Sequence, residues 1–230
     1  MKWAYGVTTV PMRQKDLLPR TLASLAKAGF DKPRLFIDDC SLALGIDFCD
    51  QFGLEITARW PAIRTFGNWA LGLAELYIRY PTADRYAMFQ DDLVACTNLR
   101  AYLEVCPYPG KVYLNLYTFP QNLLLAKGHR GWYPSNQMGR GAVALVFSRD
   151  AVVTLLCQSH MVNRPQDAHK GWKSIDGGIV TAFKLAGWQE YVHNPSLVQH
   201  VGTLSSMRNH PHPQADSFPG EDFDALSLVC

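Results

Sequence analysis

Two acidic pairs stand directly after short apolar runs, Asp38-Asp39 after Arg34 to Ile37 and Gln90-Asp91-Asp92 after Tyr86 to Phe89. Carboxylates placed this way suit a hard divalent ion such as Mg2+ or Mn2+. Such an ion keeps most of its waters and takes one or two protein carboxylates plus phosphate oxygens. A substrate carrying a pyrophosphate is the kind of ligand whose leaving charge the ion would neutralise. Asp also favours turns, so one pair alone would carry little. His200 adds to the motif: it ends the apolar stretch Leu197-Val198-Gln199-His200-Val201-Gly202 and opens a turn with Thr203, Ser205 and Ser206. An imidazole completes a mixed carboxylate and histidine site for Mn2+. Asp92 and His200 are therefore expected to meet around one cation.

The elements that must hold these residues alternate between strand and helix patterns, which predicts an α/β domain. Strands are expected over Trp3 to Val10, Arg34 to Ile37, Leu54 to Arg59 and Tyr86 to Phe89. Between them, helices are expected over Lys15 to Ala28, stopped by Gly29, and over Phe66 to Tyr80, stopped by Pro81. In such sheets ligands collect beyond the carboxyl ends of the strands, where both acidic pairs fall. Further strands are expected over Lys111 to Tyr117, Ala142 to Ser148, Gln189 to Val192 and Leu197 to Val201. Helices follow at Arg149 to Gln158 and at Asp176 to Ala186, the latter stopped by Gly187. Thr118 to Met138 and Ser159 to Lys173 read as long loops, which in a compact domain are usually functional. They carry Trp132, Tyr133 and Trp172, rings able to stack on a sugar or base, or simply to anchor the loop. Gly139-Arg140-Gly141 would let backbone approach a ligand closely, or make a plain turn.

The chain has 230 residues, 48% of them apolar and 18% charged, with a formal net charge of +2. That composition supports a buried core and gives no general electrostatic grip on nucleic acid. The start is too short and too interrupted for a signal-peptide core, and no run approaches the roughly 20 apolar residues of a membrane helix. A cytoplasmic protein without membrane contact is expected, or a catalytic fragment cut from an anchor. Six cysteines without a CxxC pair read as reduced thiols.

Taken together, these motifs resemble those of GT-A glycosyltransferases, and the fold so implied is a mixed, mostly parallel Rossmann-like sheet flanked by helices. Gln199-His200-Val201-Gly202-Thr203-Leu204-Ser205-Ser206 resembles the QHVG-x-x-SS segment of N-acetylglucosaminyltransferase IV-type enzymes. Val7-Thr8-Thr9-Val10-Pro11-Met12-Arg13 resembles the first-strand loop that holds the nucleotide, and Gln90-Asp91-Asp92 stands where that fold carries its acidic DXD or EDD motif. The resemblance spans residues 3 to 206 as dispersed motifs, which makes 1–206 the expected catalytic domain and 207–230 a tail packing on or near the active site. It implies Asp92 and His200 as metal ligands, Asp91 on the ribose or on the metal through water, and Thr8, Thr9 and Arg13 in the nucleotide pocket. It places Asp38 or Asp39 against the base or ribose, and brings Asn68 and the backbone at Gly141 to the donor. Gln90 departs from the pattern, since it offers hydrogen bonds but no charge.

The resemblance implies an enzyme that uses Mn2+ or Mg2+ and a UDP-sugar donor, and a compact chain without signal or anchor fits a bacterial or viral one. Its acceptor would be a glycan or another hydroxyl compound. Inverting transfer needs a carboxylate to take the acceptor's proton, and Asp176, in Ser174-Ile175-Asp176-Gly177-Gly178, is the candidate base. Asp at a helix start also simply caps it. A hydroxymethylated pyrimidine in DNA is an alternative acceptor, with Arg20, Lys27, Lys127, Arg130, Lys170 and Lys173 available to line a groove. Nucleotidyl transfer is a second class of reaction, disfavoured by the lack of glycine after Gly6 in the first loop. A non-catalytic sugar- or nucleotide-binding module is a third reading.

Overall fold

The computed structural model describes residues 1–106, 109–162, 175–202 and 213–229. Strand β1 (Trp3–Thr9) leads through a turn at Pro11–Arg13 into α1 (Leu17–Lys27), followed by β2 (Arg34–Asp38), α2 (Leu42–Phe52), β3 (Ile56–Arg59) and α3 (Arg64–Arg79). The acidic motif lies between β4 (Arg85–Gln90) and β5 (Leu93–Ala95), and α4 (Leu99–Val105) and β6 (Val112–Asn115) come next. Then come α5 (Pro120–Ala126), β7 (Gly131–Pro134), β8 (Ala144–Ser148), α6 (Arg149–Leu156), α7 (Ser159–Val162), α8 (Ile175–Leu185), β9 (Gln189–Asn194) and β10 (Val198–His200).

Eight strands form one sheet in the order β3-β2-β1-β4-β8-β6-β9-β7, while β5 and β10 pair as a separate antiparallel ribbon. β3, β2, β1 and β4 run parallel, and β8 enters antiparallel between β4 and β6. Alternating side chains serve two cores, as a sheet covered on both faces requires. Leu35, Ile37, Ala87, Phe89, Ala144 and Val146 face one; Phe36, Tyr86, Met88, Leu145 and Phe147 face the other. The mixed, largely parallel sheet between helical layers is the architecture the sequence predicts.

Both glycine stops act as expected. Phe30 N–H donates to Leu25 O at 2.8 Å and Trp188 N–H to Phe183 O at 2.8 Å, each just beyond a left-handed glycine, Gly29 or Gly187. These six-to-one bonds satisfy carbonyls that the helix end leaves open.

Several elements differ from expectation. Thr118 to Met138 is no long loop: it holds α5, opened by Pro120 in the first turn, and β7, the edge strand paired with β9. α7 occupies the start of the segment expected to be a loop after Gln158. α2, α4 and β5 have no counterpart in the sequence reading. α2 is masked by Gly45, a poor helix former that packs closely on β3, where a Cβ would sit 2.9 Å from Ile56 Cδ1. Lys170, Trp172, Lys173, Ser174, the Thr203 to Ser206 turn, His210 and His212 lie outside the described residues.

Residues 213–229 lie along the domain. Asp224 bridges Thr97 in parallel fashion, and Arg20 pairs with Glu221 at 2.8 Å. Lys27 reaches Asp222 at 3.6 Å, so two of the cations considered for a DNA groove face this segment instead. The cysteines at 40, 49, 96, 106 and 157 are thiols rather than disulfide halves. Among the described residues, no helix is long and apolar enough to cross a membrane.

Candidate active site

The site begins with the register of β1 against β4, which sets Thr8 opposite Gln90. One residue further on, the Thr9 hydroxyl donates to Asp91 Oδ2 at 2.6 Å. Thr8 is buried beside it, its hydroxyl directed to Phe89 O at 3.3 Å. The turn that follows is fixed from α1, where the buried Thr21 hydroxyl lies 2.9 Å from the carbonyls of both Asp91 and Leu93. Arg13, also buried, adds a favourable charge near Asp91. Burial and then the adjoining Asp92 charge push the Asp91 carboxyl up to about 7, against the pull of Thr9 and Arg13. Asp91 thus points inward, held from the end of β1.

Asp92 points the other way, toward the β5–β10 ribbon. Antiparallel pairing sets His200 opposite Leu93, and Val201 N–H donates to Asp92 O at 2.8 Å. His200 Nε2 then lies 3.2 Å from Asp92 Oδ2, with only 5% of the imidazole side chain and 14% of the Asp92 side chain exposed. Among the described residues, the second oxygen, Asp92 Oδ1, is buried with no hydrogen-bond partner. Such an orphan costs free energy unless something fills its coordination. Gly202 closes the cradle: a Cβ there would sit 3.0 Å from Asp92 Oδ2 and 3.1 Å from His200 Cε1.

The donor set is one carboxylate and one imidazole, which suits Mn2+. Among the described residues no group of three or more His, Cys, Asp and Glu could hold a metal. The remaining positions would fall to phosphate oxygens and water, as hard ions at phosphate sites prefer.

Gln90 has a defined structural part. Its backbone N–H donates to Val143 O at 2.8 Å and its side-chain amide to Ala142 O at 2.9 Å. These bonds tie the end of β4 to the segment entering β8. The adjoining Gly141 N–H donates to Asp176 Oδ2 at 2.6 Å, at the start of α8. Gly141 is left-handed, and a Cβ there would sit 2.4 Å from Tyr117 Cδ1. Gly139, also left-handed, packs so close that a Cβ would meet Asp176 O at 2.8 Å. Asp176 therefore stands at the same end of the sheet as the acidic motif, gripped by the 139–141 turn.

The other sequence candidates are placed less directly. Asp38, at the end of β2, is buried, and its Oδ1 accepts from Ile63 N–H at 2.8 Å. Asp39 is exposed and left-handed at the turn beyond it. Asn68 is spent within the fold: its amide donates to Phe36 O at 2.8 Å and accepts from Arg59 Nε at 2.9 Å, so it steadies Arg59.

Sequence reasoning missed Thr21, Gln199 and Glu190. Gln199 accepts from Ala215 N–H at 2.8 Å and donates to Ala215 O at 3.2 Å, which pins residue 215 beside the strand that carries His200. Its neighbourhood was visible in the Gln-His-Val-Gly run, but its backbone-like pairing was not.

With this geometry in place, the chain was compared with known proteins. No family model and no curated sequence matches it. Solved structures do resemble it, among them the following two. A nucleotidyl transferase from Methanothermobacter thermautotroptrophicus superposes with a TM-score of 0.51 at 14% identity, over 84% of this chain and 86% of that one. A structure of GalNAc-T7 with UDP, GalNAc and Mn2+ gives a TM-score of 0.59 at 12% identity, over 94% of this chain and 44% of that one. The likeness is one of fold. This chain has a GT-A-type, Rossmann-like architecture, and at these identities its chemistry must be argued from its own residues.

Proposed function

We propose that the protein is a metal-dependent glycosyltransferase that moves a sugar from a UDP-sugar to an acceptor hydroxyl with inversion. One observation carries this reading: the buried Asp92–His200 pair, whose second carboxylate oxygen has no partner among the described residues, in the turn that follows β4. Bound there, Mn2+ or Mg2+ would supply charge to the departing diphosphate. Thr8, Thr9, Arg13 and Asp91 would line the nucleotide side, and Asp38 or Asp39 would face the ribose or base. Asp176 would accept the acceptor's proton as the hydroxyl oxygen bonds to the anomeric carbon and the bond to UDP breaks. Gly141 N–H, on Asp176 Oδ2, fixes one carboxylate oxygen in place. GalNAc-T7, which shares the fold, was solved with UDP, GalNAc and Mn2+. The acceptor is a glycan or another hydroxyl compound; DNA is the less favoured choice, since Arg20 and Lys27 face residues 221 and 222.

The test is UDP release from a panel of UDP-sugars, with and without Mn2+, for wild type and Asp92→Ala. Release that depends on Mn2+ and vanishes in the variant supports the reading; metal-independent release, or none from any donor, removes it.

Nucleotidyl transfer is the second reading, favoured by the fold likeness to the archaeal nucleotidyl transferase. Against it, β1 leads through Val10 into Pro11-Met12-Arg13, with no glycine-rich phosphate loop. Pyrophosphate release from a nucleoside triphosphate and a sugar 1-phosphate would select it.

A further inference from the structure

A carboxylate is buried one layer behind Asp176. Glu190 is the second residue of β9, with 3% of its surface exposed, in register with Tyr113 on β6. No Lys or Arg is paired with it among the described residues; its partners are neutral. Ser135 Oγ donates to Oε2 at 2.5 Å, and Asn115 Nδ2 donates to Oε1 at 3.2 Å. Burying a carboxylate among neutral donors is costly: burial above all raises its pKa, the hydrogen bonds pull it back down, and the Asp176 charge adds to the rise. A purely structural position on a central strand would be filled more stably by an apolar side chain.

The partners all lead to one turn. Ser135 N–H donates to Glu190 O at 3.0 Å, and Ser135 Oγ also accepts from Gln137 N–H at 2.9 Å, so Glu190 holds the entrance of the segment 135–141. Asn115 Nδ2, shared with Glu190, also donates to Arg140 O at 3.2 Å, and Asn115 Oδ1 accepts from Tyr117 N–H at 3.1 Å. The exit of the same segment is thereby tied to Glu190 through one amide. Between these anchors Gly139 presses on the Asp176 backbone, and Gly141 N–H holds the Asp176 carboxylate.

We propose that Glu190, with Asn115 and Ser135, is a positioning residue that sets Asp176 by clamping both ends of the 135–141 turn. The role of Asp176 as base rests on the function proposed above; the clamp does not. Neutral hydrogen bonds transmit position here, and a misplacement of about 1 Å at a reacting group costs up to roughly a hundredfold in rate.

The test uses the full chain as Glu190→Ala, Ser135→Ala and Glu190→Gln. The first readout is hydrogen exchange and chemical shift of the Gly141 amide by NMR, which needs no substrate. The second is UDP release from UDP-N-acetylglucosamine or UDP-glucose with Mn2+, together with the Kd for UDP. In Glu190→Ala and Ser135→Ala, the Gly141 amide is expected to exchange at least about tenfold faster. Turnover should fall roughly tenfold to a hundredfold with the UDP Kd unchanged. Glu190→Gln, which keeps one acceptor and gains a donor, should recover most of both. Should Glu190→Ala fail to fold, Ser135→Ala at the edge of the network carries the test. A Gly141 amide at its wild-type exchange rate, or wild-type turnover with only the melting temperature lowered, overturns the proposal. If wild type releases no UDP while Asp176 remains clamped through Gly141, the catalytic reading falls. The amide measurement then decides the positioning claim by itself.

Discussion

Asp92 Oδ2 and His200 Nε2 lie 3.2 Å apart although one stands in the turn before β5 and the other ends β10, far along the chain. The contact is set by the β5–β10 ribbon, which pairs Leu93 with His200 and Val94 with Gln199. A slip of one residue would turn His200 to the other face. Two short strands therefore determine whether the pair exists.

Gly202 is expected to be required for that pair. In Gly202→Ala the new Cβ, 3.0 Å from Asp92 Oδ2 and 3.1 Å from His200 Cε1, pushes the two ligands apart. Mn2+ affinity measured by calorimetry should fall about tenfold to a hundredfold, the scale seen when the support of metal ligands is disturbed. Wild-type affinity in a folded variant would contradict the cradle.

Asp176→Asn is expected to separate binding from turnover. The amide oxygen can still accept from Gly141 N–H, so the turn is kept, but the group no longer takes a proton. UDP-sugar affinity should stay within about twofold while turnover falls about a hundredfold or more. Unchanged turnover would rule Asp176 out as the base and bring a retaining mechanism forward.

Gln90 shows why an acid is absent at the first position of the motif. Gln90→Glu replaces a donor to Ala142 O by a carboxylate facing a carbonyl. The loss is expected to be about 1–3 kcal/mol, read from the urea midpoint. A variant as stable as wild type would show that the amide bond is dispensable.

The buried His193 predicts acid sensitivity away from the site. Nδ1 lies 2.7 Å from Pro195 O, which only accepts, so Nδ1 carries the proton; Nε2 then accepts from the Tyr102 hydroxyl at 2.8 Å. Burial, first of all, pulls the imidazole down to about 4 from its ordinary 6.5. The unfolded chain therefore binds the proton first as pH falls, and stability complete above about 6.5 drains away between there and 4. Its size is on the order of 3 kcal/mol. Urea unfolding at pH 7 and pH 4.5 should show this loss in wild type and much less of it in His193→Asn; equal losses would place the acid sensitivity elsewhere.

Much of this architecture was legible because its signals are local. The runs ending at Thr9, Asp38 and Gln90 are apolar on both faces, as buried parallel strands must be, and Gly29 and Gly187 stop helices by conformation alone. What was hidden depends on tertiary contacts. β5 is three residues long and reads as part of the acidic turn until β10 pairs with it. α2 carries a glycine chosen for its distance to β3, and its Ser41 cap and Gly53 stop were the signals that could have revealed it. Glu190 alternates with Gln189 and Tyr191, so a carboxylate on the buried face beside Val192 was readable in principle. Its partners were not.

The most direct test is the manganese signal itself, titrated by electron paramagnetic resonance with UDP present, in wild type, Asp92→Asn and His200→Ala. One bound Mn2+ per chain in wild type is expected, weakened at least about tenfold by each substitution alone. Binding that is absent in wild type, or equally tight in all three proteins, would mean that the Asp92–His200 pair holds no cation.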